Sequence, residues 1–316
     1  MCWFLLSELI VMHWIFSKFN RTIAQEDVVA GLGVGDINFL GLHIPLSVDA
    51  RRSPLEYWSG RCAVPMLSDL SLPYPLHEDY FEYVDLLEAI DRARDGRFVM
   101  VEVGAGYGRW MLNAAYAARR HKSKTYSSID LIGFEFDPDR AKSLSMLMGG
   151  SGIESYRLVE KVVVASEVHI QGIFVDCAVH RTDASKFGGM IIDTKLDLLS
   201  GRTPMADTEW MRIKKMASCD LEQELVDFKV VDYMSFDVQN AEILIIPSYI
   251  DYLTRHVKMV HVGTHSRLAD ATVADCFVSA GWKPRWQYLW RSNEPTEHGV
   301  VYFRDGIQSY ENPNIC

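Results

Sequence analysis

Clustered cysteines are missing from this 316-residue chain. Its six cysteines are Cys2, Cys62, Cys177, Cys219, Cys276 and Cys316. No two stand at a CxxC spacing, and no paired histidines accompany them. A zinc site or a disulfide framework needs tighter grouping. The expectation is therefore reduced thiols in a cytoplasmic protein, with no bound metal. Positive charge is also scarce. The chain has 32 Lys and Arg against 42 Asp and Glu, a formal net charge of -10. Such a chain has no general attraction for nucleic acid or anionic lipid, although a local basic patch is compatible with it. Repeats and low-complexity stretches are absent too. No apolar run reaches the ~20 residues that a membrane-spanning helix needs. What remains is a globular composition, 48% hydrophobic and 23% charged. It excludes a disordered chain, a collagen-like fibre and a coiled-coil rod. The length allows one or two domains.

Residues 1–16, MCWFLLSELIVMHWIF, are strongly apolar but carry Glu8 and His13. The segment lacks the basic start and the small-residue cleavage site of a signal peptide. Trp3, Leu6, Ile10, His13 and Trp14 are spaced to share one helix face. A helix docked on the core, a dimer or membrane-surface contact, and a loose extension all fit this pattern. Residues 30–77 are punctuated by glycines and prolines, which suggests a loop-rich lead-in. Residues 1–75 are thus expected to precede one larger domain, 76–316.

In that domain strands and helices alternate. Tyr83, Leu86, Leu87 and Ile90 predict a helix over 80–94. Buried strands are expected at 98–103, 131–136, 172–179, 230–238 and 258–263. Helices fit between them at 139–148, 219–227, 240–254 and 266–280. Two final strands, 284–290 and 299–303, suggest an antiparallel C-terminal hairpin. The pattern predicts an α/β fold with a doubly wound, mostly parallel sheet. Ligands bind such sheets at the carboxyl ends of the strands.

The unusual residues fall just after strands. The first group is Glu102-Val103-Gly104-Ala105-Gly106-Tyr107-Gly108. Glycines permit a tight turn and a close ligand approach. Free N–H groups at the following helix start favour an electronegative group. A mere turn would look similar. A dinucleotide site would have a third glycine at 109, where this chain has Arg109. The spacing fits a nucleoside-type methyl-donor site better. The second feature is Glu135, which can accept hydrogen bonds from ribose hydroxyls. A solvated glutamate at a strand end is the alternative.

The third group is Asp237, Gln239, Asn240 and Glu242. Four polar side chains at a strand end are costly if they serve only packing, although Asp237 or Asn240 could cap a helix. The fourth is His265, which can move a proton near neutral pH or can be structural.

Taken in order, VEVGAGYGRW, GFEFDP, VVDYMSFDVQNAE and HVGTHS resemble the FkbM-type methyltransferases. The resemblance covers roughly 80–306. It departs at Asn240, where the family usually has glycine, and is poor over 149–215. It implies a Rossmann-like seven-stranded sheet and S-adenosylmethionine as methyl donor. The implied acceptor is a hydroxyl of a sugar or natural-product small molecule. A homodimer is a separate possibility, left open by the apolar N-terminal segment. The donor would lie along Glu102, Gly104, Ala105, Gly106, Tyr107 and Gly108. Its ribose would rest on Glu135 beside Phe136. Ala178 and Val179, after the expected third strand, would flank the adenine. Asp237 would touch the donor and, with His265, handle the acceptor proton. Glu242 is a further catalytic candidate or a loop anchor. Two other readings remain: a non-catalytic donor-binding partner or sensor, and a nicotinamide oxidoreductase that Arg109 disfavours.

Overall fold

The structure, a computed structural model, describes residues 13–19, 78–94, 96–165, 174–180, 190–191 and 211–315. The lead-in over 30–77 and most of the apolar N-terminal segment lie outside these residues. Within 13–19, a 3₁₀ turn spans Trp14–Lys18. Ile15, Phe16 and Phe19 are buried, while Trp14 is exposed. Phe16 stacks on Tyr80 with ring centroids 5.7 Å apart.

From residue 78 the described chain runs through α1 (Glu78–Arg92), β1 (Arg97–Val103), α2 (Arg109–Arg119) and β2 (Ser128–Phe134). Next come α3 (Pro138–Gly150) and β3 (Tyr156–Val159). Four strands follow: β4 (Val162–Val163), β5 (Phe174–His180), β6 (Met190–Ile191) and β7 (Met211–Cys219). The chain continues through α4 (Leu221–Glu224), β8 (Val231–Phe236), α5 (Glu242–His256), β9 (Val257–Thr264) and α6 (Arg267–Ser279). It closes with β10 (Lys283–Tyr288), β11 (Ser292–Thr296), β12 (Gly299–Phe303) and β13 (Gly306–Glu311).

Seven strands form the main sheet in the order β10-β13-β9-β8-β1-β2-β3. The pairs from β9 to β3 are parallel, and β13 enters antiparallel between β9 and β10. This is the doubly wound α/β sheet expected from the alternation. Strand β1 shows why both faces are covered. Phe98 and Met100 pack with α1 and α2, while Val99, Val101 and Val103 pack with α5 and α6. An almost continuous apolar run is what a parallel strand buried on both faces requires.

Two details of the sequence reading are corrected. Residues 172–179 do not form the third sheet strand. That strand is Tyr156–Val159, and β5 belongs to a smaller sheet of order β4-β7-β5-β6. An apolar run alone does not say which sheet a strand joins. The C-terminal pairing also differs. An antiparallel hairpin is present, but it joins β12 to β11, which lies in the polar stretch between the two expected strands, while β10 pairs with β13. The alternation within SNEPT is too polar to signal a strand, and a two-stranded ribbon needs little burial.

One cross-strand row in the core is polar. Glu102, Ser235, His261, Ser309 and Trp286 are successive register partners across β1, β8, β9, β13 and β10. Helix α1 lies over this row. Glu82 accepts from Ser235 Oγ at 2.8 Å. Asp85 takes His261 Nδ1 at 2.8 Å, Arg285 Nε at 2.8 Å and Trp286 Nε1 at 3.0 Å. Buried charge is tolerated here because it is paired and hydrogen-bonded.

Candidate active site

A pocket opens at the carboxyl ends of β1, β2 and β8, enclosing about 930 Å³ of free space that is partly continuous with solvent. On the β3 side it is lined by Phe136, Lys161, Val162, Val163 and Ile191. On the α2 side it is lined by Glu102, Arg109 and Trp110. Asp237, Val238 and Gln239 face the glycine turn.

The turn has physical reasons for its glycines. Gly104 has φ +87°, and a Cβ there would lie 2.0 Å from the Asp237 carbonyl oxygen. The ends of β1 and β8 therefore meet at a distance that no side chain allows. Gly106 has φ +55°, and a Cβ would meet nothing within 4 Å. The space above it belongs to the pocket. Gly108 caps α2 in a left-handed conformation.

Glu135 reaches into this cradle. Its Oε2 accepts from Gly106 N–H at 2.8 Å and its Oε1 from Asp137 N–H at 2.7 Å. Burial pushes its carboxyl up to about 7, against the lowering effect of Arg140 and the two N–H groups. Two accepted bonds leave further lone pairs for ligand hydroxyls. Burial, reinforced by Glu82, likewise holds Glu102 well above the usual carboxylate range.

Beside the pocket, Asp237 and His265 make a linked pair. The Asp237 side chain is 53% exposed, and its Oδ1 lies 3.2 Å from His265 Nε2. Glu242 Oε1 lies 3.0 Å from His265 Nδ1 and accepts from Val238 N–H at 3.1 Å. Burial opposes charge on His265, but Glu242 and Asp237 outweigh it and raise its pKa well above 6.5. Gln239 Nε2 lies 3.1 Å from Asp237 and 2.9 Å from His265 Nε2. A protonated ring has Asp237 Oδ1 as the acceptor for its Nε2–H, and Gln239 donates to the same oxygen. Gln239 and Asn240 both have positive φ, 53° and 84°. Ser266 Oγ donates to Asn240 Oδ1 at 2.6 Å and ties down the turn. Two successive left-handed residues store strain, a feature that gathers at functional sites.

The pocket thus gathers Glu102, Gly104, Ala105, Gly106, Tyr107, Glu135, Phe136 and Asp237 in its wall. His265 and Glu242 stand behind Asp237. Ala178 and Val179 belong to β5 in the smaller sheet, so they do not follow the third strand of the main sheet. Lys161, Val162 and Val163 take that place. The four-residue strand before them, YRLV, gave the sequence too little pattern to reveal it. Asp79, which pairs with Arg109, carries no local signal because the two are 30 residues apart. Among the described residues, no three His, Cys, Asp or Glu side chains are arranged to hold a metal. None of the described helices is long and apolar enough to cross a membrane.

No family model matches the chain. It is 25% identical over 253 residues to a putative methyltransferase from Jannaschia sp. (strain CCS1), spanning 78% of this chain and 81% of that protein. Among solved structures it is similar to methyltransferase FkbM from Methylobacillus flagellatus KT, at 9% identity and a TM-score of 0.41, covering 70% of this chain and 45% of that one. It is also similar to precorrin-6y C5,15-methyltransferase from Geobacter metallireducens GS-15, at 10% identity and a TM-score of 0.40, covering 76% and 94%.

Proposed function

We propose that the chain is an S-adenosylmethionine-dependent methyltransferase of FkbM type, acting on a hydroxyl of a sugar or natural-product small molecule. The observation that carries this reading is the buried Glu135 carboxylate at the end of β2, bonded to Gly106 N–H beside an open cradle. A ribose diol needs an acceptor pair and a close backbone approach, and both are there. The similarity to a putative methyltransferase supports the same reading.

The residues fit the donor. Glu135 would hold the ribose, and Phe136, Val162 and Val163 would pack the adenine. The turn at Gly104 and Gly106 would border the sulfur. When bound, the donor supplies an electrophilic methyl on a sulfonium. This chain's task is to align the acceptor oxygen in line with that methyl and to take its proton. Asp237 suits the task because its carboxylate is exposed in the pocket wall. His265 orients Asp237, and Glu242 orients His265 through Nδ1. Glu242 and His265 are therefore positioning residues, and Asp237 is the group that touches the acceptor.

The test is calorimetric titration with S-adenosylhomocysteine, with NAD as control. Micromolar binding of the former alone supports the reading; binding of NAD alone, or of neither, removes it. Turnover with an acceptor then separates an enzyme from a donor-binding sensor.

A further inference from the structure

We propose that the methyl acceptor carries an anionic group, a phosphate or a carboxylate, and that Arg212 and Lys214 of β7 receive it. The inference rests on the reading above and deepens it, because it concerns the acceptor of the same pocket.

The smaller sheet supplies one wall of that pocket. Val162 of β4 and Ile191 of β6 stand on its two outer strands, and both line the pocket. Between them, Met216 of β7 and Val175 and Cys177 of β5 share an apolar cluster with Phe136, itself a pocket residue. One face of the small sheet is therefore turned to the pocket.

Strand alternation carries this face along β7. Met216, Lys214 and Arg212 are spaced two apart and are half-buried, whereas Ile213 and Lys215 between them are exposed. Lys214 lies in one register row with Cys177 and the pocket-lining Ile191. The pocket-side face thus passes from apolar to cationic along one strand.

These two charges are unmatched by protein. Arg212 Nε is buried and donates to no acceptor. Among the described residues, neither Arg212 nor Lys214 has an ion-pair partner. Their register partners are the neutral Val179 and Cys177, while Lys215 on the outer face stands opposite Asp176. Half-burying two cations without a counter-charge is costly unless a ligand supplies one. The guanidinium fork suits a phosphate or a carboxylate, and the ammonium adds a point charge. This face also lies on the β3 side of the pocket, across from Asp237. An anion held there stays clear of the carboxylate that meets the acceptor hydroxyl.

The simpler view is that the charges only guard a strand flank. Among the described residues, β4 pairs with β7 at Ser218 and Cys219 alone, and charge along the remainder discourages edge pairing. Lys215 serves that purpose as well as Lys214 does, so it is the control. The protein is first saturated with S-adenosylhomocysteine. Glucose 6-phosphate against glucose, and galacturonate against galactose, are then titrated in the millimolar range by ligand-detected NMR. A chain of net charge -10 has no general attraction for anions, so a preference for them reports a local site.

In the parent protein at least one anionic sugar should bind tenfold or more tightly than its neutral match, and which one separates phosphate from carboxylate. Arg212→Gln and Lys214→Gln should each cut that preference at least threefold and still bind S-adenosylhomocysteine as the parent does, which also shows that they are folded. Lys215→Gln should keep the preference. If Arg212→Gln does not fold, Lys214→Gln decides. Equal binding within both pairs, binding of none of the four sugars, or a loss in Lys215→Gln as large as in Lys214→Gln overturns the proposal and leaves the donor reading intact. If the parent does not bind S-adenosylhomocysteine, the donor reading falls and this inference falls with it.

Discussion

His265 holds Asp237 through Nε2, 3.2 Å from the carboxylate, while its other nitrogen is held by Glu242 at 3.0 Å. A ring fixed at both ends cannot swing, so Asp237 has one orientation in the pocket wall. Asp237→Asn should bind S-adenosylhomocysteine as the parent does and lose turnover by about a hundredfold or more. His265→Gln should keep binding and lose less. Unchanged turnover in Asp237→Asn removes Asp237 from the reaction.

Gly104 and Gly106 should fail in different ways. Gly104→Ala drives a methyl into the Asp237 carbonyl at a positive φ, at a cost of about 2 kcal/mol or more. Its melting temperature should drop clearly. Gly106→Ala meets open space, so it costs about 1 kcal/mol for the left-handed backbone. Its main effect should be weaker nucleoside binding, because the methyl stands where the ligand must pass. Thermal melts and titration of both variants check this contrast; equal losses in both assays would contradict it.

Ligand-free stability should fall as pH rises from about 4.5 to about 7. Glu135 titrates at 4.5 when unperturbed and at about 7 in the fold. The native state therefore binds the extra proton in that window, and its stabilising effect is lost as pH climbs through the folded value. Glu82, also raised to about 7, acts in the same direction. Melting curves from pH 5 to 8 should show a shallower decline in Glu135→Gln. An identical decline would mean that Glu135 is ionised throughout.

Asp85 should matter for folding alone. It is fully buried and joins His261, Arg285 and Trp286. Asp85→Ala removes the one partner that His261, Arg285 and Trp286 share, leaving Arg285 to Glu88 and Glu311, at about 3 kcal/mol or more. A melting temperature lower by roughly 6 to 12 °C is expected. A shift under 2 °C would show that Glu88, 3.0 Å from Arg285, carries the pairing instead.

The alternation of apolar strands and amphipathic helices made the doubly wound sheet readable, because the central strands β1, β8 and β9 are buried on both faces. Gly104, Glu135 and Asp237 were readable as a set because they end neighbouring strands and are polar or small where packing alone would want neither. The β3 side of the pocket was not readable. β3 has four residues, and the longer run at Phe174–His180 competed with it. The pairing of Arg109 with Asp79, and of His265 with Glu242, came from tertiary proximity that periodicity cannot encode. The place of β13 was likewise hidden, since strand order depends on which edge stays open.

The antiparallel entry of β13 between β9 and β10 also orders events during folding. Until residues 306–311 arrive, β9 presents an unpaired edge in the middle of the future sheet. Asn312 then ties that edge down, donating through Nδ2 to the carbonyls of Thr254 and Val257. A nascent chain that stalls before this segment is therefore sticky at its centre, not at its rim. Chaperone demand should be set by how long that single strand edge waits for its partner.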